Sequence, residues 1–187
     1  MDALQAIVIG FWVFIPALVP NSAAVLFGGG LPVDLGRTWR GKRVLGEGKT
    51  WRGLIGGVSF GASIGLLQLL LAYNYNRQGF DVFGSFPESM ALVFALALGA
   101  LLGDLCGAFV KRRLGMERGA KAAGLDQYDF VLGSLLLALL ISPGWFEITF
   151  LQGDGIISLL TILVIVPVLH RTVNIIGHRL GLKKEPW

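Results

Sequence analysis

Cysteine is almost missing from this sequence: Cys106 is the only one in 187 residues. That excludes an internal disulfide framework and any multi-cysteine metal centre. Charge is scarce as well. Asp, Glu, Lys and Arg together make up 15% of the chain, against roughly 25% in a soluble domain. With 54% hydrophobic residues and a mean hydropathy of +0.69, a soluble globular protein is excluded and an integral membrane protein is expected. No internal repeat and no low-complexity tract stands out, so residues 1–187 read as a single membrane-embedded domain. The missing repeat also argues against a transporter, which usually carries one. No basic residue precedes the first uncharged stretch, Ala3 to Val33, which points to a retained helix and not a cleaved signal peptide. No extramembrane segment is long enough to dock a duplex, so nucleic acid is not an expected partner.

What the chain does have is long apolar runs. A membrane-spanning helix needs about 20 such residues, and five segments qualify: Leu4 to Phe27, Gly53 to Tyr73, Ser89 to Val110, Phe130 to Phe146 and Gly155 to Gly177. The fold class expected is all-α, with about five transmembrane helices. Of 16 Lys and Arg, six fall between Arg37 and Arg52, five between Lys111 and Lys121, and four from Arg171 to Lys184; only Arg77 lies elsewhere. Basic residues stay in the cytoplasm. The N-terminus is therefore expected outside, the C-terminus inside, and the loops of about 34–52 and 111–129 cytoplasmic. Asp2, Asp81, Glu88, Glu147 and Asp154 fall on the outer side. A basic inner face suits anionic lipid headgroups and nucleotides.

Inside the third run, "GDLCGAFVKRRLG" places Asp104 where hydrocarbon is expected. A carboxylate there costs several kcal/mol on insertion scales unless a cation meets it. The following loop ends in "LDQYDF", with Asp126 and Asp129 three apart at a helical start and hence on one face. Helix capping explains either of these taken singly but not Asp104. Three uncompensated carboxylates at one edge of two antiparallel helices repel, and one or two magnesium ions on Asp104, Asp126 and Asp129 would resolve this. Lys111, Arg112, Arg113, Arg118 and Lys121 share the loop. Each alone is an ordinary inner-face anchor, yet acids and bases interleaved around a metal are what polyphosphate binding requires.

The loop "GKRVLGEGKTWRG" adds a second phosphate feature. It is not a Walker loop, because position 43 is Arg where that pattern needs glycine, and no strand precedes it. Gly46 and Gly48 still allow close backbone approach, and Lys49, Thr50 and Arg52 sit at the start of the second membrane helix, where free amides favour an anion. In the first run Pro16 and Pro20-Asn21 break the helix, and Asn21 is a candidate polar lining residue. On the last helix His170 reads as an interfacial anchor, four residues before Asn174.

The motifs "PALVPN", "FGGGLPVDLG", "GKRVLGEGKTWRG", "GDLCGAFVKRRLG", "LDQYDF" and "HRTVNIIGHRLGLKKEPW" together resemble the archaeal CDP-archaeol synthases, over Pro16 to Trp187. More distantly, Asp104, Lys111-Arg112 and Leu125-Asp126-x-x-Asp129 are similar to the signature of bacterial CDP-diacylglycerol synthases. The bacterial Pro-Gly-His-Gly-Gly is absent and Gln127 replaces an arginine between the acids, which favours a diether over a diacylglycerol substrate. The resemblance implies a membrane-bound nucleotidyltransferase. CTP and 2,3-bis-O-(geranylgeranyl)-sn-glycerol 1-phosphate would be its substrates, giving the CDP-lipid and pyrophosphate. Asp104, Asp126, Asp129, Lys111 and Arg112 would be catalytic, with Asn21, Gly46, Gly48, Lys49, Thr50, Arg52 and Arg113 holding substrate. A CDP-diacylglycerol-type synthase and a non-enzymatic transporter are the alternatives.

Overall fold

Asp2 opens the first helix, α1 (Ala3–Leu18): its carboxylate accepts the Gln5 amide at 2.8 Å, and the Asp2 amide donates to Gln5 Oε1 at 3.1 Å. Two orphan donors are satisfied reciprocally by this capping box. Pro16 is tolerated inside α1, but Pro20 starts a new helix, α2 (Pro20–Phe27), as a residue without an amide hydrogen does at a first turn. In the computed structural model, residues 2–75, 82–117, 120–122 and 124–182 are described. Arg77, Asp81, Arg118, Lys183 and Lys184, all used in the charge argument, lie outside them.

After α2 the chain forms a compact loop with a two-stranded hairpin, β1 (Thr38–Trp39) and β2 (Lys42–Arg43). The expected all-α fold thus carries one small β element. Its turn residues Arg40 and Gly41 both have positive φ, 52° and 75°, the backbone a two-residue hairpin loop demands. Long helices follow: α3 (Trp51–Tyr75), α4 (Glu88–Arg113), α5 (Leu125–Ile141), the short α6 (Pro143–Phe150) and α7 (Gly155–Arg179). Among the described residues four stretches are long and apolar enough to cross a membrane: Ala3–Phe27, Trp51–Asn74, Glu88–Arg113 and Gly155–Arg179.

The expected fourth run is displaced. It spans Leu125–Ile141, not Phe130 to Phe146, because Ser142 leaves helical geometry (φ −142°, ψ 80°) and Pro143 starts α6. The apolar run excludes the polar first turn of α5, whose helical start at Asp126 the carboxylate spacing indicates. At about 25 Å for its 17 residues, α5 is short for a crossing. It nonetheless runs antiparallel along α4 from end to end. Asp129 backs onto Gly103, the Ser134 hydroxyl donates to Leu96 O at 3.0 Å, and the Ser142 hydroxyl donates to Glu88.

Small residues allow this packing. A β-carbon at Gly53, Gly57 or Gly61 would lie 2.9, 2.7 or 2.6 Å from Ala24 O, Pro20 O or Pro20 Cγ, so glycines at every fourth position seat α3 against α1 and α2. Gly99, Gly103 and Gly133 do the same between α4 and α5. Phe14, Leu92, Leu96, Val131, Ile162 and Val166 form a continuous buried core from α1, α4, α5 and α7. At one end of the bundle Trp145 donates to Val82 O at 2.6 Å and stacks near Phe83. The other end holds the hairpin loop and the acids.

Candidate functional site

Asp34 organises the loop between α2 and α3. Its buried carboxylate accepts Arg43 Nη2 at 2.7 Å and Nε at 3.2 Å, and the amides of Gly36, Leu45 and Gly46 at 3.1, 3.0 and 2.9 Å. The Arg43 guanidinium, working against burial and helped by the three amides, holds this carboxyl well below the usual carboxylate range. Gly46 can aim its amide this way because its φ is +107°, a conformation other residues rarely adopt. The neck of the loop is closed by Val33 N donating to Lys49 O at 2.8 Å and Trp51 N donating to Leu31 O at 3.0 Å. Thr50 then caps α3, accepting the Gly53 amide on its hydroxyl at 3.2 Å.

This closure delivers Lys49 to α4, where its ammonium donates to Asp104 Oδ2. Here is the cation that the intramembrane aspartate demanded. Lys111 pairs with Asp126 Oδ1 at 2.5 Å, and Asp126 Oδ2 accepts the Ala122 amide at 2.8 Å. Asp129 has no ammonium of its own among the described residues; Oδ1 accepts the adjacent Phe130 amide at 2.7 Å. Gly107 leaves the space its carboxyl fills, since a β-carbon there would collide with Asp129 Oδ2. Neither aspartate caps α5, which starts at Gly124 without a side-chain cap.

These groups line one cavity of about 250 Å³. Asn21, Gly48, Lys49, Thr50, Asp104 and Lys111 line it, with Asp126 and Asp129 on α5. Asn21 Oδ1 is buried without a hydrogen-bond partner among the described residues, as expected of a group that awaits a ligand. His170 and Asn174 of α7 also form the wall, 3.2 Å apart between His170 Nε2 and Asn174 Nδ2, and the His170 ring packs on Phe130. The sequence reading did not place His170 at the cavity; its i, i+4 spacing to a polar residue on an apolar helix was the available signal.

Four residues expected at the substrate stand elsewhere. Gly46 serves Asp34, and Arg52 lies against Gly30. Arg112 donates to Met116 O, while Arg113 donates to Trp39 O at 2.5 Å, Arg43 O at 2.7 Å and Lys42 O at 3.3 Å. None of the four lines the cavity. For the two arginines of α4 the physical reason is that backbone carbonyls lie close to the end of the helix, and their guanidinium donors take them. The three acids also do not form a ready metal cage: among the described residues no three of His, Cys, Asp and Glu are so disposed. Two of the acids have lysine partners instead. Asp34 was the residue missed outright, since an aspartate nine positions before an arginine is no pattern in a one-dimensional reading.

A family model described as "CarS-like: CDP-archaeol synthase" matches residues 3–187. The chain is 48% identical over 174 residues to a CDP-archaeol synthase of Methanospirillum hungatei, covering 92% of this chain and 99% of that one. It is 49% identical over 180 residues to the enzyme of that name in Methanocorpusculum labreanum, again covering 92% and 99%. With the Archaeoglobus fulgidus CDP-archaeol synthase it shares 44% over 187 residues, covering 98% of this chain and 99% of the relative. A solved structure, "Structural insight into an intramembrane enzyme for archaeal membrane lipids biosynthesis", superposes with a TM-score of 0.60 at 36% identity, over 93% of this chain and 95% of that one.

Proposed function

Because the chain belongs to the CDP-archaeol synthase family and is a CTP-dependent cytidylyltransferase acting on an archaeal lipid phosphate, we propose that the cavity beside Asp104 is where the transfer occurs. The lipid substrate is then 2,3-bis-O-(geranylgeranyl)-sn-glycerol 1-phosphate. An oxygen of its phosphate bonds to the α-phosphorus of CTP, the bond from that phosphorus to the β-bridging oxygen breaks, and pyrophosphate leaves. A phosphate monoester has a second pKa of about 6, so the nucleophile is largely dianionic at neutral pH and needs no general base. What the site must supply is cationic charge where two anions meet. The observation that carries this reading is one cavity, at the end of an apolar bundle, in which Lys49 and Lys111 stand beside three carboxylates.

Lys49 and Lys111 would exchange their carboxylates for phosphate oxygens when the triphosphate enters, and Gly48 and Thr50 lie in the same wall. Three carboxylates and the unpartnered Asn21 oxygen are an all-oxygen donor set of the kind magnesium takes. Asp104, Asp126 and Asp129 would hold one or two ions, which when bound neutralise triphosphate charge. The apolar wall of Leu54, Leu101 and Leu105 suits the membrane-anchored substrate, which explains why Asp104 is set within a spanning helix.

We place this site on the cytoplasmic side of the cell membrane, where CTP is made. Five crossings, with the N-terminus outside and the C-terminus inside, follow if α5 crosses. Leu132, Leu136 and Leu140 support that, as an exposed apolar stripe at helical spacing on α5 that belongs in lipid and not in water. The test is turnover: purified protein in detergent, given labelled CTP, magnesium and the geranylgeranyl diether phosphate, should form CDP-lipid and pyrophosphate in equal amounts. No product, or equal rates with diacylglycerol phosphate, would reject the assignment.

A further inference from the structure

We infer that Arg113 is a positioning residue for this reaction, acting through the hairpin loop on Lys49 and never touching substrate; the inference rests on the functional reading above. The guanidinium sits at the last residue of α4, with its carbon 5.1 Å from the Trp39 ring centre and 5.3 Å from that of Phe109, the two rings being stacked at 5.6 Å. Its Nη groups are committed to the carbonyls of Trp39, Lys42 and Arg43 on the hairpin. Arg43 in turn grips Asp34, Asp34 takes the amides of Leu45 and Gly46, and the Lys49 amide donates to Gly46 O at 3.3 Å. Lys49 then reaches back to Asp104 on the helix where the series began.

The loop therefore makes polar contacts with α4 at two points nine residues apart, with the Trp39–Phe109 stack between them. Nine residues are two and a half turns, or about 13 Å, and put the two points on opposite faces of the helix. The neck pairing of Val33 with Lys49 brings Lys49 to α4, and a loop that straddles the helix in this way refines where its ammonium stands while both fastenings hold. The planar fork of an arginine can serve several carbonyls at once; an ammonium on a flexible stem cannot replace it. A residue that merely supplied positive charge to phosphate would be replaceable by lysine in large part.

The experiment compares Arg113→Ala and Arg113→Lys with the unaltered protein by CTP turnover and by hydrogen–deuterium exchange of segment 37–46 without substrate, with melting as a folding control. Both variants should lose turnover by about 10- to 100-fold, the scale of a misplaced catalytic group, and exchange in the segment should quicken in both. Phe109→Ala, which removes one wall of the guanidinium slot and no charge, should move both readouts in the same direction by less. It also serves if either Arg113 variant fails to fold. Turnover within about twofold of normal in Arg113→Lys, lost turnover with unchanged exchange, or faster exchange with normal turnover would each overturn the inference. If the unaltered protein makes no CDP-lipid, the functional reading fails instead, and the exchange comparison still reports whether Arg113 holds the loop.

Discussion

Asp104→Asn keeps the shape of a side chain in the bundle but leaves the Lys49 ammonium without its carboxylate. Stranding one partner of a partly buried pair destabilises, whereas removing both is far milder. Asp104→Asn should therefore melt earlier in detergent, and Asp104→Asn/Lys49→Met should recover much of that loss. Turnover should stay at least about 10-fold down in both, as for loss of a carboxylate at a metal-phosphate site. A double variant that regains turnover along with its melting temperature would make the pair structural only. Asp34 gives a pH signature at the same scale. Its folded pKa lies below the usual carboxylate range, with Arg43 the first cause. Its contribution is thus complete above the unfolded value of about 4 and fades as pH falls from there through the folded one. Asp34→Asn should melt earlier than the unaltered protein at pH 6, and the gap should begin to narrow below about pH 4. A gap that is constant from pH 6 to pH 3 would show that the charge on Asp34 does not hold the loop.

At the scale of elements, α4 and α5 meet through glycine, and the spacing places chemistry as well as packing. A β-carbon at Gly103 would run into the backbone of Asp129 and Phe130, whereas one at Gly107 would meet the Asp129 side chain. Gly103→Ala should push the helices apart and cost about 1–3 kcal/mol of stability, as overpacking does. Gly107→Ala should act on the carboxyl, lowering turnover by about 10-fold or more with a smaller loss in melting temperature. Gly144→Ala in α6, where nothing among the described residues lies within 4 Å of the added carbon, is the matched control for both. Equal effects of Gly103→Ala and Gly107→Ala on melting and on turnover would mean that Asp129 has no placement of its own to lose.

For the whole molecule the open quantity is whether α5 crosses. In a Cys106→Ser background, single cysteines at Lys42, Ala120 and Gln152 report on the hairpin loop, the loop before α5 and the turn after α6. Lys42 and Ala120 should label with impermeant reagent from the cytoplasmic side alone, and Gln152 from the outside alone. Labelling of all three from one side would remove one crossing and return the C-terminus to the other side of the membrane.

Hydropathy and spacing were enough for the membrane class, for long helices near α3, α4 and α7, for the break at Pro20 and for the grouping of Asp104, Asp126 and Asp129. Each of these depends on residues a few positions apart: an apolar run must be buried or meet lipid, proline cannot supply an amide, and carboxylates three apart share a helix face. The helical start at Asp126 was legible, but the apolar count placed the run at Phe130 to Phe146 and so carried it past the break at Ser142 and Pro143. Partners were beyond reach. Lys49 meets Asp104 across 55 positions and Arg113 meets Trp39 across 74, and the sequence offers several other cations as candidates for each task. Which cation takes a carboxylate and which takes carbonyls depends on where the fold sets each acceptor, since ion pairs and hydrogen bonds reward only a few ångströms of approach. The helices and acids were therefore local properties of the chain, while the division of its basic residues between cavity and scaffold was decided by tertiary structure.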